Sequence, residues 1–386
     1  MTQNNKNLIL LCMALAMFSG LSVDVLLPGL PSMGKALQAS HSQTQLIISI
    51  FFLGYGIVQL FYGIFSDWKG RKPGVIVSLV IYLVGTIGCL CTDTISLIYL
   101  FRIIQAIGAC GAIVSSFALA RTYFNEPHYV KVVTYITVGM SLFPILFSVI
   151  GGYLSFYLTW HADFVFAAGV ATLMLFACAY TLPNETPHTQ APRFNQLLNT
   201  YKRMLRDKIY WSYTLCGTTI FIALLGLITV IPFFYVTDSV DPSADLGYWL
   251  GANSLFLVLG SLGVRFLEKH KSLKSLIRYG SGIMIGGGIL WLVLLFKSTA
   301  PSALSLFGPM YLISLGIGSI MPATQAGLLA PYKEAAGQAA AFAGFFRFVL
   351  ASLIAGTLLY FPHPLVVLGA LVILMGTVNF LFVVRG

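Results

Sequence analysis

Charge is scarce in this chain. Only 9% of its 386 residues are Asp, Glu, Lys or Arg, where a soluble domain carries about 25%. That shortage excludes a water-solvated globular protein, and a mean hydropathy of +0.88 points the same way. Catalytic and nucleotide-binding signatures are lacking as well. There is no Walker loop, no HExxH helix and no Ser-centred nucleophile motif. His128, His161 with Asp163, His188 and His363 fall near span ends or in loops and form no such set. An integral-membrane enzyme is therefore disfavoured, and no cofactor or metal is implied. The cysteines, Cys12, Cys89, Cys91, Cys110, Cys178 and Cys216, lie within or at the ends of apolar runs without metal-ligand spacing. They read as small apolar fillers.

What is present is a recurrence of apolar runs. A spanning helix needs about 20 apolar residues. The runs predict spans near 7–31, 44–64, 73–92, 96–121, 131–155, 162–182, 210–236, 246–266, 274–296, 302–329, 337–360 and 364–384. Pro309 and Pro322 interrupt the tenth. The first lacks a compact basic start and a small-residue cleavage site and carries Asp24, so it reads as a span rather than a signal peptide. Twelve spans leave no room for a soluble domain. The polar stretch 183–209 divides them six and six, giving halves at 1–182 and 210–386. Such halves suggest parallel repeats about an axis along the membrane normal. Leu197, Leu198, Tyr201 and Leu205 alternate with bases in that stretch, which predicts a short amphipathic helix on an anionic leaflet.

The net charge of +10 is distributed in a way that argues against nucleic acid. With a cytoplasmic N-terminus, 18 of the 22 bases fall on the cytoplasmic side, among them Lys69, Arg71, Lys72, Arg121, Lys131 and Arg206. The opposite loops carry mostly acids, such as Asp93, Asp163 and Asp238. This is the positive-inside asymmetry. It predicts both termini in the cytoplasm of a bacterial inner membrane, with the lipid bilayer and not nucleic acid as partner.

Ionisable groups inside spans are costly and mark function by default. Asp24, Arg102 and Arg347 are the clear cases. Counting at about 1.5 Å per residue places Asp24 and Arg102 at one depth, so they are expected to pair across the bundle. The pair is either structural or a proton site in which Arg102 tunes Asp24. Arg347 falls near mid-span, with no acid in the C-terminal spans. It either reaches an acid of the first half or awaits an anionic group of a ligand. Tyr55, Gln59, Gln105, Asn253, Thr324 and Gln325 are polar companions able to line a wet cavity together, although each alone is more often a helix–helix hydrogen bond. Between the second and third runs stands Gly63-Ile-Phe-Ser-Asp67-Trp-Lys-Gly70-Arg71-Lys72, a compact charged turn.

With these residues in view the chain resembles the major facilitator superfamily, and within it the twelve-span drug:proton antiporters of the Bcr/CflA type. Gly63, Asp67, Gly70, Arg71 and Lys72 are similar to the signature loop between spans two and three, which implies a role in holding and releasing the two halves. Asp24-Val-Leu-Leu-Pro28 resembles the span-one Asp-x-x-x-Pro motif, and Arg102-Ile-Ile-Gln105-Ala-Ile-Gly108 the span-four motif associated with proton coupling. Pro144 with Gly151-Gly152 resembles span five, and Ala330-Pro-Tyr through Gly337 the start of span eleven. Ala16 stands where some drug-exporting relatives carry a second acid, which together with Arg347 favours anionic or zwitterionic substrates. The resemblance implies an all-α membrane protein with two six-helix halves around a central cavity. It implies alternating access, with export of a small amphiphile such as a drug or siderophore in exchange for protons. A symporter importing a metabolite or siderophore is the alternative on the same scaffold.

Overall fold

The computed structural model describes residues 3–183, 194–235, 243–267, 271–297 and 302–385. Inside the helices, the side chains of 63–69 and a few others lie outside the described residues. In chain order the α-helices are α1 (Gln3–Ala16), α2 (Phe18–Val23), α3 (Leu30–Ala36), α4 (His41–Lys69), α5 (Arg71–Leu90), α6 (Ile95–Tyr123), α7 (Glu126–Tyr157) and α8 (His161–Thr181). They continue as α9 (Phe194–Arg206), α10 (Lys208–Phe234), α11 (Ser243–Leu267), α12 (Leu273–Lys297), α13 (Ala303–Leu329), α14 (Ala336–Ala355) and α15 (Pro364–Arg385). Eleven helices are long and apolar enough to cross a membrane among the described residues. The twelfth pass is the broken set α1–α3. In lipid each backbone N–H and C=O needs an internal partner, and helices provide it.

Helix boundaries follow local chemistry. Ser40 opens α4 with a capping box: its Oγ accepts from Gln43 N at 3.2 Å, and its N–H donates to Gln43 Oε1 at 2.9 Å. Asp207 caps α10 by accepting from the N–H groups of Ile209 and Tyr210 at 2.9 and 3.1 Å. The stretch expected as a charged loop after span two is almost wholly helical. Only Gly70, at φ +92°, separates α4 from α5, a conformation that a side chain would oppose. The prolines of the tenth span sit inside an unbroken α13.

The six-helix halves meet along two seams. At the first, α7 and α11 approach through glycine: a Cβ on Gly152 would lie 2.7 Å from the Ser243 carbonyl oxygen, and one on Gly247 would lie 2.6 Å from that of Ser148. Small residues permit such backbone approach where lipid supplies no hydrophobic drive. At the second, α4 packs on α14, with Phe52 stacked on Phe348 at a 5.6 Å centroid distance and Gly56 against the Phe348 Cβ. Toward the end carrying His41, here the far end, fully buried Gln45 ties this seam. Its Nε2 donates to Thr229 Oγ1 at 3.0 Å and to the Ala355 carbonyl at 2.8 Å. The opposite end is the basic end, with Arg71, Arg121, Lys131 and Lys208 at its helix termini. There α9 lies against the protein: Tyr201 stacks on Phe342 at 4.6 Å and donates to the Leu60 carbonyl at 3.2 Å. Leu198 and Leu205, three before and four after Tyr201 and so on the same side of the helix, stay exposed, so the apolar face expected to rest on the leaflet also meets the bundle through Tyr201.

Gln45 is the only polar side chain in these seams with bonds to both α10 and the end of α14 among the described residues. Gln45→Leu keeps its bulk while orphaning the Ala355 carbonyl, a loss of roughly 1–3 kcal/mol. A thiol placed at buried Ser49, which abuts Gly356, is expected to react faster with maleimide in detergent when Gln45→Leu is also present, with exposed Cys91 replaced by Ser. An unchanged rate would show that the seam closes without these bonds.

Candidate functional site

The first span breaks at its acid. α2 ends at Val23, and residues 24–29 form turns before α3 resumes with Pro31 in its first turn. Pro28 has no N–H to continue a helix. The break redirects the backbone: Leu26 N donates to the Val23 carbonyl at 3.1 Å, leaving the Ser22 carbonyl without its helical donor. Arg102 fills that vacancy.

Arg102, on α6, is fully buried. Its Nη1 donates to the Ser22 carbonyl at 2.9 Å and to Gln105 Oε1 at 2.6 Å, and its Nε donates to the Ile47 carbonyl at 3.3 Å. The guanidinium carbon sits 4.5 Å from the Phe51 ring centroid, a cation–π contact. Gln105 passes the network on, donating to Thr86 Oγ1 at 2.8 Å, while Ser22 Oγ bonds the Tyr82 hydroxyl at 3.0 Å. Every acceptor is neutral, and Nη2 is buried without a partner.

Asp24 does not pair with Arg102. Its carboxyl is half-buried and lies beside Gly20, where a Cβ would fall 2.9 Å from Oδ2 and 3.8 Å from both Pro144 and Phe147 of α7. Among the described residues no base reaches it. The depth count failed because it assumed a straight helix. Positions two apart point to different sides of a helix: the Ser22 side chain meets Tyr82 of α5 and its carbonyl meets Arg102 of α6, while Asp24 lies beside Gly20 on the side toward α7.

Arg347, on α14, borders a narrow recess with Gly217, Ile220, Phe221, Ile317 and Met321. With the Gln325 amide turned so that Oε1 faces the guanidinium, that oxygen accepts from Nη1 at 2.9 Å and Nη2 at 3.1 Å. Gly217 makes room, since a Cβ there would meet Nη2 at 2.9 Å. Arg347 Nε has no partner, and no acid of either half reaches the guanidinium among the described residues. A cation with one neutral acceptor therefore faces an apolar hollow.

The other expected residues are scattered. Tyr55 and Gln59 lie in the α4–α14 seam, Tyr55 edge-on to Phe348 at 4.9 Å and Gln59 against Gly344. Asn253 accepts from Ser314 Oγ at 2.5 Å, a bond between α11 and α13. Thr324 bonds the Met321 carbonyl of its own helix at 2.8 Å. Of the signature stretch, Gly70 separates α4 from α5 and Arg71 Nε donates to Thr122 Oγ1 at 3.2 Å. Lys72 is partly exposed on the first turn of α5. Gly63 and Asp67 belong to α4, and their side chains lie outside the described residues.

Reading the chain as loops and spans missed one residue. Asp163 counts as a loop acid in sequence, yet it is 3% exposed in the first turn of α8. The available signal is its position directly before the apolar run Phe164-Val-Phe, where a helix N-terminus accommodates an acid.

Comparison with known proteins agrees with this architecture. The sequence model described as Major Facilitator Superfamily matches residues 12–356. "Multidrug resistance protein D" of Escherichia coli (strain K12) is 25% identical over 348 residues, covering 89% of this chain and 86% of that protein. "Bicyclomycin resistance protein homolog" of Haemophilus influenzae is 27% identical over 286 residues, covering 72% and 71%. The fold is shared with a crystal structure of a bacterial homolog of the human lysosomal transporter Spinster, described as inward-facing and unoccupied. The TM-score is 0.76 at 13% identity, over 99% of this chain and 98% of that one. The chain is thus a multi-pass membrane protein of a transporter family and not an enzyme. It belongs to the Major Facilitator Superfamily, among relatives of the Bcr/CflA drug-resistance type.

Proposed function

We propose that this chain is a proton-coupled transporter that works by alternating access and exports small amphiphilic compounds, anionic or zwitterionic ones favoured, in exchange for protons. The observation that carries the reading is the Asp24 carboxyl, placed at the break of the first span against Gly20, the position that Pro144 and Phe147 approach from the other side. Those two residues belong to α7, and α7 forms a seam with α11 of the other half. Gain or loss of charge on Asp24 therefore acts on an element whose packing changes when the halves move. The buried Arg102 network holds the broken span in place beside it.

Arg347 and Gln325 supply the substrate side of the reading. An anionic group can take the free donor capacity of the guanidinium, while Ile220, Phe221, Ile317 and Met321 receive an apolar body. The resistance proteins among the relatives support efflux. The positive-inside rule supports placing the basic end in the cytoplasm, with both termini there and the far end facing outward across a bacterial inner membrane. In this reading Gly70 is the hinge, with Gly63, Asp67, Arg71 and Lys72, at which the halves let go.

Two measurements test it. In proteoliposomes with the basic face outward, adding substrate is expected to make the lumen more alkaline, since protons leave as substrate enters, and Asp24→Asn is expected to abolish the change. Acidification would mean symport and overturn export; an unchanged signal in Asp24→Asn would remove Asp24 from the proton path. Arg347→Ala is expected to weaken binding of anionic compounds by about ten- to a hundredfold, corresponding to roughly 1.5–3 kcal/mol for a charge-assisted hydrogen bond. Binding of uncharged analogues, measured by calorimetry in detergent, should stay unchanged.

A further inference from the structure

A second recess lies inside the N-terminal half. It is bounded by Leu21, Ser22, Val25 and Leu26 of the broken span, Gln105 of α6, and Asp163 and Phe164 of α8. Asp163 contributes its only charged group. Oδ2 accepts from Ser155 Oγ of α7 at 2.9 Å. Oδ1 is buried without a partner. Gly29 closes over the pair so tightly that a Cβ there would fall 2.1 Å from Ser155 Oγ and 3.0 Å from Asp163 Oδ2.

An ionised carboxyl offers about four acceptor positions, and this one meets a single side-chain donor. The charged and titratable groups around it do not make up the deficit. Arg102 meets the lining of this recess through Gln105 and the Ser22 carbonyl, and α5 presents Tyr82, which bonds Ser22, and buried Cys89. On the turn, Asp24 faces α7 instead, and α7 itself brings only the Ser155 hydroxyl to Asp163. His161, two residues away, is directed to Asp93 at 3.8 Å on the surface. None of them pairs with either oxygen of Asp163. A structural role would be served by the Ser155 bond alone; it would leave unexplained an acid with a bare oxygen, shut in a recess that leads to the Arg102 network.

We propose that Asp163 is a second proton-binding carboxyl, which takes a proton from water at the far end and holds it on Oδ1 inside this recess. The proton joins a carboxylate oxygen to give a neutral acid, and its release to water restores the carboxylate. The Gly29 turn that covers the site lies in the same broken segment as Asp24, so movement of that segment opens or shuts proton access to Asp163. The inference deepens the proton-coupled reading above, while proton binding itself can be tested without transport.

The test is infrared difference spectroscopy of the full chain in lipid, between acid and alkaline pH, on the intact protein and on Asp163→Asn and Asp24→Asn. Asn keeps an oxygen able to accept from Ser155. The expected result is a protonated-carboxyl C=O band that disappears at alkaline pH, is lost in Asp163→Asn and persists in Asp24→Asn. Identical spectra for the intact protein and Asp163→Asn would overturn the proposal. Loss of the band only in Asp24→Asn would overturn it too, and would leave the Asp24 reading standing. Should Asp163→Asn fail to fold, Ser155→Ala decides. Removing the donor to Oδ2 is expected to shift the band to higher wavenumber, and a band that stays put counts against Asp163. Failure of the proteoliposome experiment with this band intact would refute coupled export without refuting proton binding here.

Discussion

The bond from Arg102 to the Ser22 carbonyl holds together two features that are each costly alone. A broken helix in lipid leaves backbone groups without partners, and a buried guanidinium without acceptors is expensive. Here each satisfies the other: the break frees the carbonyl, and the guanidinium donates to it at 2.9 Å. Removing either member would strand its partner in a dry interior. Asp24 and Asp163 take their places from the same arrangement. Asp24 ends up facing α7, and the Gly29 turn folds down over Asp163.

The two seams are built by different means. Along α7 and α11 the contact is glycine on backbone at Gly152 and Gly247, beside one exposed pair in which the Tyr153 and Tyr248 hydroxyls bond. Along α4 and α14 it is aromatic stacking, with Gln45 as a polar tie at the far end among the described residues. Contacts of this kind can part without tearing a network of charges. The two intramembrane guanidiniums lie within the halves: Arg102 in the first, and Arg347 held by Gln325 in the second. That division suits alternating access, in which each half moves as a body while its interior stays intact.

Much of this was legible in the chain. Twelve apolar runs of spanning length predict the passes, because the bilayer imposes length and hydropathy one segment at a time. The prolines of the tenth run left the helix intact, since neighbouring groups in a packed bundle re-satisfy what a proline frees. The candidate residues were less legible. Asp24, Arg102 and Arg347 stand out as charges inside spans, but their partners did not follow from depth. Of the polar companions, Asn253 makes a helix–helix bond, the other reading for it, and Gln59 lies against Gly344. Asp163 looked like a loop acid and is buried.

By itself, then, the sequence determined the helical membrane architecture, the separation of basic from acidic ends and the short set of costly intramembrane charges. Each of those depends on local composition against a solvent of known thickness. Only the tertiary structure decided which acceptors Arg102 meets, which way Asp24 turns and that Asp163 is shut in with a bare oxygen. Those facts depend on where a helix breaks and which faces its neighbours present, and such contacts join residues such as Ser22 and Arg102, 80 positions apart.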